Sequence, residues 1–145
     1  YIESGVAAGA RLVTGGKRPA HLPKGYYVEP TLFADVDNSM TIAQEEIFGP
    51  VLSVIRVKDA DEAFTVNNDV KYGLSSSIYT RDVNLAFRAL NELDNGITYV
   101  HAPTIGAEAH LPFGGVKDSG LGREHGSSAI ELYTEIKSVV IGYRE

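Results

Sequence analysis

Apolar positions along the chain follow two periods, and the switches between them mark the elements. Residues 51–57 read VLSVIRV, a β-branched run of strand length. Asp59 follows, with Glu62 three positions on, the spacing of a capping box. The helix this predicts covers residues 60–70 and stops before Gly73. Residues 74–80 (LSSSIYT) read as a second strand. Asp82 then caps another helix, in which Val83, Ala86, Phe87 and Leu90 take the i, i+3, i+4 and i+7 positions of one stripe. Asn95-Gly96 ends it, and residues 97–100 give a third strand. Strand, helix, strand, helix, strand predicts an α/β fold, a parallel sheet with flanking helices and right-handed crossovers.

The flanks are less regular. Residues 1–10 read as the tail of a helix, 11–14 as a short strand and 15–25 as a loop. Residues 102–122 form a long irregular stretch with Pro103, Pro112 and five glycines. A loop of that length inside a compact domain tends to carry function. From residue 127 the chain reads as a short helix leading into an extended strand over 138–143. That strand is apolar and lies at the chain end. It either pairs with the chain's own sheet or adds to the sheet of another subunit. No internal repeat, low-complexity tract or composition shift divides the sequence.

Composition narrows the function classes. The formal net charge of -6, with Lys and Arg neither in excess nor clustered, argues against a nucleic-acid partner. No apolar run approaches the roughly 20 residues of a membrane span. With no cysteine, disulfides, thiolate metal sites and a cysteine nucleophile within the chain are excluded. His21, His101, His110 and His125 form no metal-binding spacing, so no metal site is expected. A cytoplasmic location is expected. Tyr1 is not a natural start, which implies a chain that continues upstream.

Two segments carry candidate chemistry. In QEEIFGP, residues 44–50, two carboxylates and an aromatic ring precede the first central strand. A carboxylate matches the vicinal hydroxyls of a ribose, and an aromatic face can pack on a flat heterocycle. The alternative is a solvated helix-end carboxylate beside a core phenylalanine. The second segment, residues 111–124 (LPFGGVKDSGLGRE), is rich in glycine, but its spacing matches neither phosphate-loop pattern. It is open to two readings, a structural glycine loop or a binding loop.

Together these segments resemble the aldehyde dehydrogenase superfamily. The resemblance is carried by GYYVEPTLF (25–33), EEIFGPV (45–51), NNDVKYGLSSSIYT (67–80), PFGGVKDSGLGRE (112–124) and YTEIKSV (133–139), in family order and over nearly the whole chain. It implies an NAD(P)-dependent oxidoreductase that turns an aldehyde into a carboxylic acid through a cysteine thiohemiacetal. It implies that Glu46 holds the nicotinamide ribose of NAD or NADP and that Phe48 packs beside the ring. Thr104, Ile105, His110 and Phe113 would line the aldehyde site, and Glu124 would be an ancillary proton-relay group. The stretch before PFGG is similar to that of members acting on sugar-acid-derived semialdehydes.

The resemblance places residues 1–130 in the C-terminal part of the catalytic domain and makes 131–145 an oligomerisation segment of a homodimer or homotetramer. The nucleophile, the main base and the cofactor domain would all lie upstream, so the segment alone is expected to be inactive. The rival reading is a free-standing, non-catalytic assembly or binding module of the same fold.

Overall fold

A computed structural model describes residues 1–106 and 108–143. The chain forms two compact units, Tyr1–Val70 and Lys71–Glu145.

The first unit contains helix α1 (Ile2–Ala7), strands β1 (Arg11–Thr14) and β2 (Thr31–Ala34), helix α2 (Thr41–Gln44), strand β3 (Val51–Ser53) and helix α3 (Ala60–Asn68). Strand β2 is central. It pairs antiparallel with β1, placing Leu12 opposite Phe33, and parallel with β3, placing Leu32 opposite Leu52. Alternation along β2 turns Thr31 and Phe33 inward, and Phe33 is wholly buried. Ala10, Val36 and Ile42 close around it to make the core. Gly5 lets α1 approach this core, because a Cβ there would meet Ile42 Cδ1 at 2.9 Å.

The second unit contains β4 (Tyr72–Gly73), β5 (Ser75–Ile78), helix α4 (Val83–Glu92), β6 (Ile97–Val100), β7 (Val116–Lys117) and helix α5 (Gly126–Tyr133). Strands β5 and β6 run parallel with α4 as their crossover, as the sequence predicts. Strand β7 lies inside the long irregular stretch and pairs antiparallel with β4.

One continuous parallel sheet was expected from the strands at 51–57, 74–80 and 97–100. Among the described residues there are instead three small sheets, one of them mixed. Periodicity identifies a strand but not its partner, and no periodic signal marks β2, the partner of β3. The first expected strand keeps ladder geometry only to Ser53, and the helix after it ends at Asn68 rather than at residue 70. Asp59 caps that helix by accepting from the Glu62 N–H at 2.9 Å. Glu62 reaches back to the Lys58 N–H rather than to that of Asp59, so the box is displaced by one residue. Val83, Phe87 and Leu90 do share α4, but all three are exposed, and the helix buries Ala89 instead. The expected strand over 138–143 is not a strand in this chain, having no ladder partner. The last two residues of the proposed oligomerisation segment, Arg144 and Glu145, lie outside the described residues.

Candidate functional site

In the first unit the candidate site is the loop that leaves α2. The loop is tied down before it projects. Gln44 donates its side-chain amide to the carbonyls of Asn38 (2.7 Å) and Asp69 (2.8 Å). Glu45 accepts from the Tyr1 hydroxyl at 2.8 Å. At the far end the Pro50 carbonyl accepts from the Thr31 N–H at 2.8 Å, joining the loop to β2. The two adjacent carboxylates therefore differ in use. That of Glu45 is engaged, whereas that of Glu46 is exposed and has no hydrogen-bond or ion-pair partner among the described residues.

Phe48 carries two costs at once. Its ring is 93% exposed, and its backbone has φ 54°, in the left-handed region. For a bulky non-glycine residue that conformation costs about 1–2 kcal/mol. Such strain persists where the surroundings enforce it, which is common at ligand sites. Phe48 borders a groove shared with Tyr27, Val28, Lys17 and Arg18. Free acceptor oxygens on Glu46 and an uncovered ring two residues on fit a ribose joined to a flat heterocycle.

In the second unit the irregular stretch proves to be strapped in place. Phe113 and Glu124 exchange both backbone hydrogen bonds at 2.6 Å. Arg123 donates to the Gly115 and Gly122 carbonyls at 2.7 and 3.0 Å, and the Ser119 hydroxyl accepts from the Gly73 N–H at 2.9 Å. The glycines serve close backbone approach. A Cβ on Gly96 would lie 1.7 Å from the Gly114 carbonyl oxygen. Of the two readings left open by the sequence, the structural glycine loop is the one these contacts support.

This loop shapes a cavity of about 280 Å³ lined by Ile97, Tyr99, Ile105, Glu108, Leu111 and Phe113, among others. The structure thus brings together Ile105 and Phe113. It places His110 at the edge, with Nε2 3.5 Å from the Glu108 carboxylate, while Thr104 is exposed and outside the described lining. Phe113 is half-buried, its ring centroid 5.9 Å from that of His125. Glu124 shares a second hollow with Phe113, Leu132 and Tyr133. Sequence reasoning missed Tyr99 and Glu108. Tyr99 sits on β6 and donates its hydroxyl to the Gly106 carbonyl, a closure of the loop that no motif signals. Among the described residues no group of three or more His, Cys, Asp or Glu side chains could hold a metal ion, and no helix is long and apolar enough to cross a membrane.

The chain matches the aldehyde dehydrogenase family over residues 1–139. It is 48% identical over 143 residues to a betaine aldehyde dehydrogenase of Rhizobium etli, covering 98% of this chain and 29% of that protein. A putative aldehyde dehydrogenase of Staphylococcus saprophyticus is 48% identical over 144 residues, covering 99% of this chain and 30% of that one. The crystal structure of Mycobacterium tuberculosis aldehyde dehydrogenase complexed with NAD+ is similar over 100% of this chain and 30% of its own, with a TM-score of 0.92 and 44% identity. The chain therefore spans about three-tenths of the length of these relatives. A match over residues 1–139, joined to a likeness of backbone at 44% identity, settles its membership: the chain belongs to the aldehyde dehydrogenase family.

Proposed function

We propose that this chain is the part of an NAD(P)-dependent aldehyde dehydrogenase that holds the nicotinamide end of the cofactor and forms one wall of the aldehyde site. The observation that carries the reading is the pairing of a free carboxylate on Glu46 with Phe48, whose backbone is left-handed and whose ring is uncovered. Glu46 accepts hydrogen bonds from the ribose hydroxyls, and Phe48 lays its ring beside the nicotinamide. The cofactor, when bound, supplies the hydride acceptor for the oxidation of an aldehyde to an acid. Ile105 and Phe113 give an apolar surface for the aldehyde, with Thr104 and His110 towards the entrance. Glu124, held by its backbone pairing with Phe113, serves as an ancillary proton-relay group. Lacking cysteine, the chain contains no thiol nucleophile, so the nucleophile and the main base come from outside these 145 residues.

The direct test is Glu46→Gln in the complete enzyme. One acceptor oxygen remains, so cofactor still binds, but the ring is less well placed. A displacement of about 1 Å can cost on the order of 100-fold in rate. Single-turnover hydride transfer should slow accordingly, and an unchanged rate would return Glu46 to a solvated helix-end role. The chain alone, incubated with NAD+ or NADP+ and a panel of aldehydes, should reduce no cofactor.

A second role is favoured by a different observation. Val139, Val140 and Ile141 are 71%, 95% and 70% exposed. Such a run serves assembly, residues 131–145 adding to a neighbouring subunit in a dimer or tetramer. If assembly were the whole function, the Glu46 substitution would leave single-turnover hydride transfer unchanged.

A further inference from the structure

We propose that His125 is a positioning residue: it holds the ring of Phe113 in place and so limits the width of aldehyde admitted, given that Phe113 belongs to the aldehyde wall as read above. His125 sits where a side chain is costly. Its backbone has φ 66° and ψ 163°, a region that is almost the preserve of glycine. Burial does not explain the residue, because His125 is exposed. Hydrogen bonding does not explain it either, since the imidazole has no hydrogen-bond or ion-pair partner among the described residues. What the ring does meet is Phe113, centroid to centroid at 5.9 Å with the planes tilted by 35°. That separation is within the range of a stabilising aromatic pair.

The backbone on both sides of His125 enforces the conformation. Glu124 exchanges two hydrogen bonds with Phe113, and the Gly126 N–H donates to the Ala109 carbonyl at 3.0 Å. Both fastenings run to the loop that carries Phe113, so the imidazole and the ring it meets are held in one frame. Phe113 itself divides two spaces. It lines the cavity of about 280 Å³ with Tyr99, Ile105 and Leu111, and it lines the hollow of about 360 Å³ with Leu132 and Tyr133. His125 lines neither. Without the imidazole, the Phe113 ring is free to lean towards Leu132 and Tyr133, and the first cavity widens at the cost of the second.

The test uses the complete enzyme and two isomeric aldehydes, hexanal and tert-butylacetaldehyde, alike in composition and different in width. His125→Gly removes the ring and leaves a residue at ease with this backbone, so the variant should unfold in denaturant no more readily than wild type. Its ratio of kcat/KM for hexanal over the branched isomer should fall about fivefold, through KM of the branched aldehyde, the size expected from the loss of one aromatic pair. His125→Phe returns a flat ring without the imidazole nitrogens and should restore the ratio. A fold-supporting role alone would lower stability and leave the ratio in place. If His125→Gly does not fold, His125→Asn, which also tolerates positive φ and lacks the ring, takes its place. A ratio within about twofold of wild type in the ring-free variant would overturn the inference, as would a fall that His125→Phe leaves unrepaired. If the wild-type enzyme oxidises neither aldehyde, the functional reading fails separately. The crystal structure of the ring-free variant then decides the present point: a Phe113 ring displaced towards Leu132 and Tyr133 upholds it, and a ring in its wild-type place overturns it.

Discussion

Among the described glycines, Gly96 is the most closely packed. Its Cβ-less backbone passes so close to the PFGG loop that any side chain would overlap the Gly114 carbonyl oxygen, at 1.7 Å. Both contacts are backbone, so neither side can yield by a rotamer change. Gly96→Ala should therefore destabilise the second unit by roughly 3 kcal/mol, the upper part of the overpacking range. Denaturant unfolding followed by tyrosine fluorescence measures it, and a midpoint equal to that of the parent would mean the loop relaxes freely. Asp35 offers a constraint of another kind. The Arg11 guanidinium, 2.8 Å away, and then that of Arg56, 2.9 Å away, hold its carboxyl below the ordinary value of 3.8. Because the folded pKa is depressed, the stabilisation is present above the ordinary value and is lost as pH falls through the folded one. Asp35→Asn, which tolerates the same left-handed backbone, should unfold more readily at neutral pH and no more readily than wild type in strong acid. All three side chains are exposed, so high salt should shrink the difference.

At the scale of elements, helix α4 separates what periodicity can and cannot say. Asp82 accepts from the N–H groups of Asn84 (2.9 Å) and Leu85 (3.4 Å), satisfying two of the orphan donors of the first turn. Asp82→Ala should cost about 1 kcal/mol. Circular dichroism during thermal unfolding should register it, whereas Asp82→Asn should recover most of the loss. Both caps, Asp59 and Asp82, were legible because capping is local: the donor and the acceptor are within three residues of each other. Strands β5 and β6 and their crossover helix were legible for the same reason. What failed was long-range. Strand β2 is four residues with one proline before it, too short to show alternation, and its burial comes from β1 and β3 on either side. Phe48 can be read from the sequence as a core residue or as a ligand contact, because sequence carries no φ angle. The place of Glu108 in the cavity wall is not legible in the sequence, because it arises only where the loop closes over Tyr99 on β6.

At the scale of the whole molecule, the apolar surface calls for a partner. Two separate compact units sharing the chain's 15.6 kDa would expose about 8,700 Å². The chain exposes 10851 Å². The surplus includes Val83, Phe87 and Leu90 on α4 and the apolar residues of the C-terminal segment. Such surface is covered either by further chain or by another subunit. Val139, Val140 and Ile141 give an order of magnitude for the second route. Burying each is worth roughly 2 kcal/mol, so two symmetric copies yield on the order of 12 kcal/mol. Association costs about 4–15 kcal/mol, so the segment alone sits near balance, and backbone pairing or neighbouring surface must tip it. In the complete enzyme, deletion of residues 138–145 should therefore shift a dimer or tetramer towards monomer or aggregate, as read by sedimentation. In the isolated chain the same near-balance predicts self-association that rises with concentration in light scattering. Val140→Lys should reduce it, because a buried unpaired charge opposes edge-to-edge pairing. A chain that stays monomeric across the concentration series, with or without that lysine, would mean the segment folds back on its own unit and takes no part in assembly.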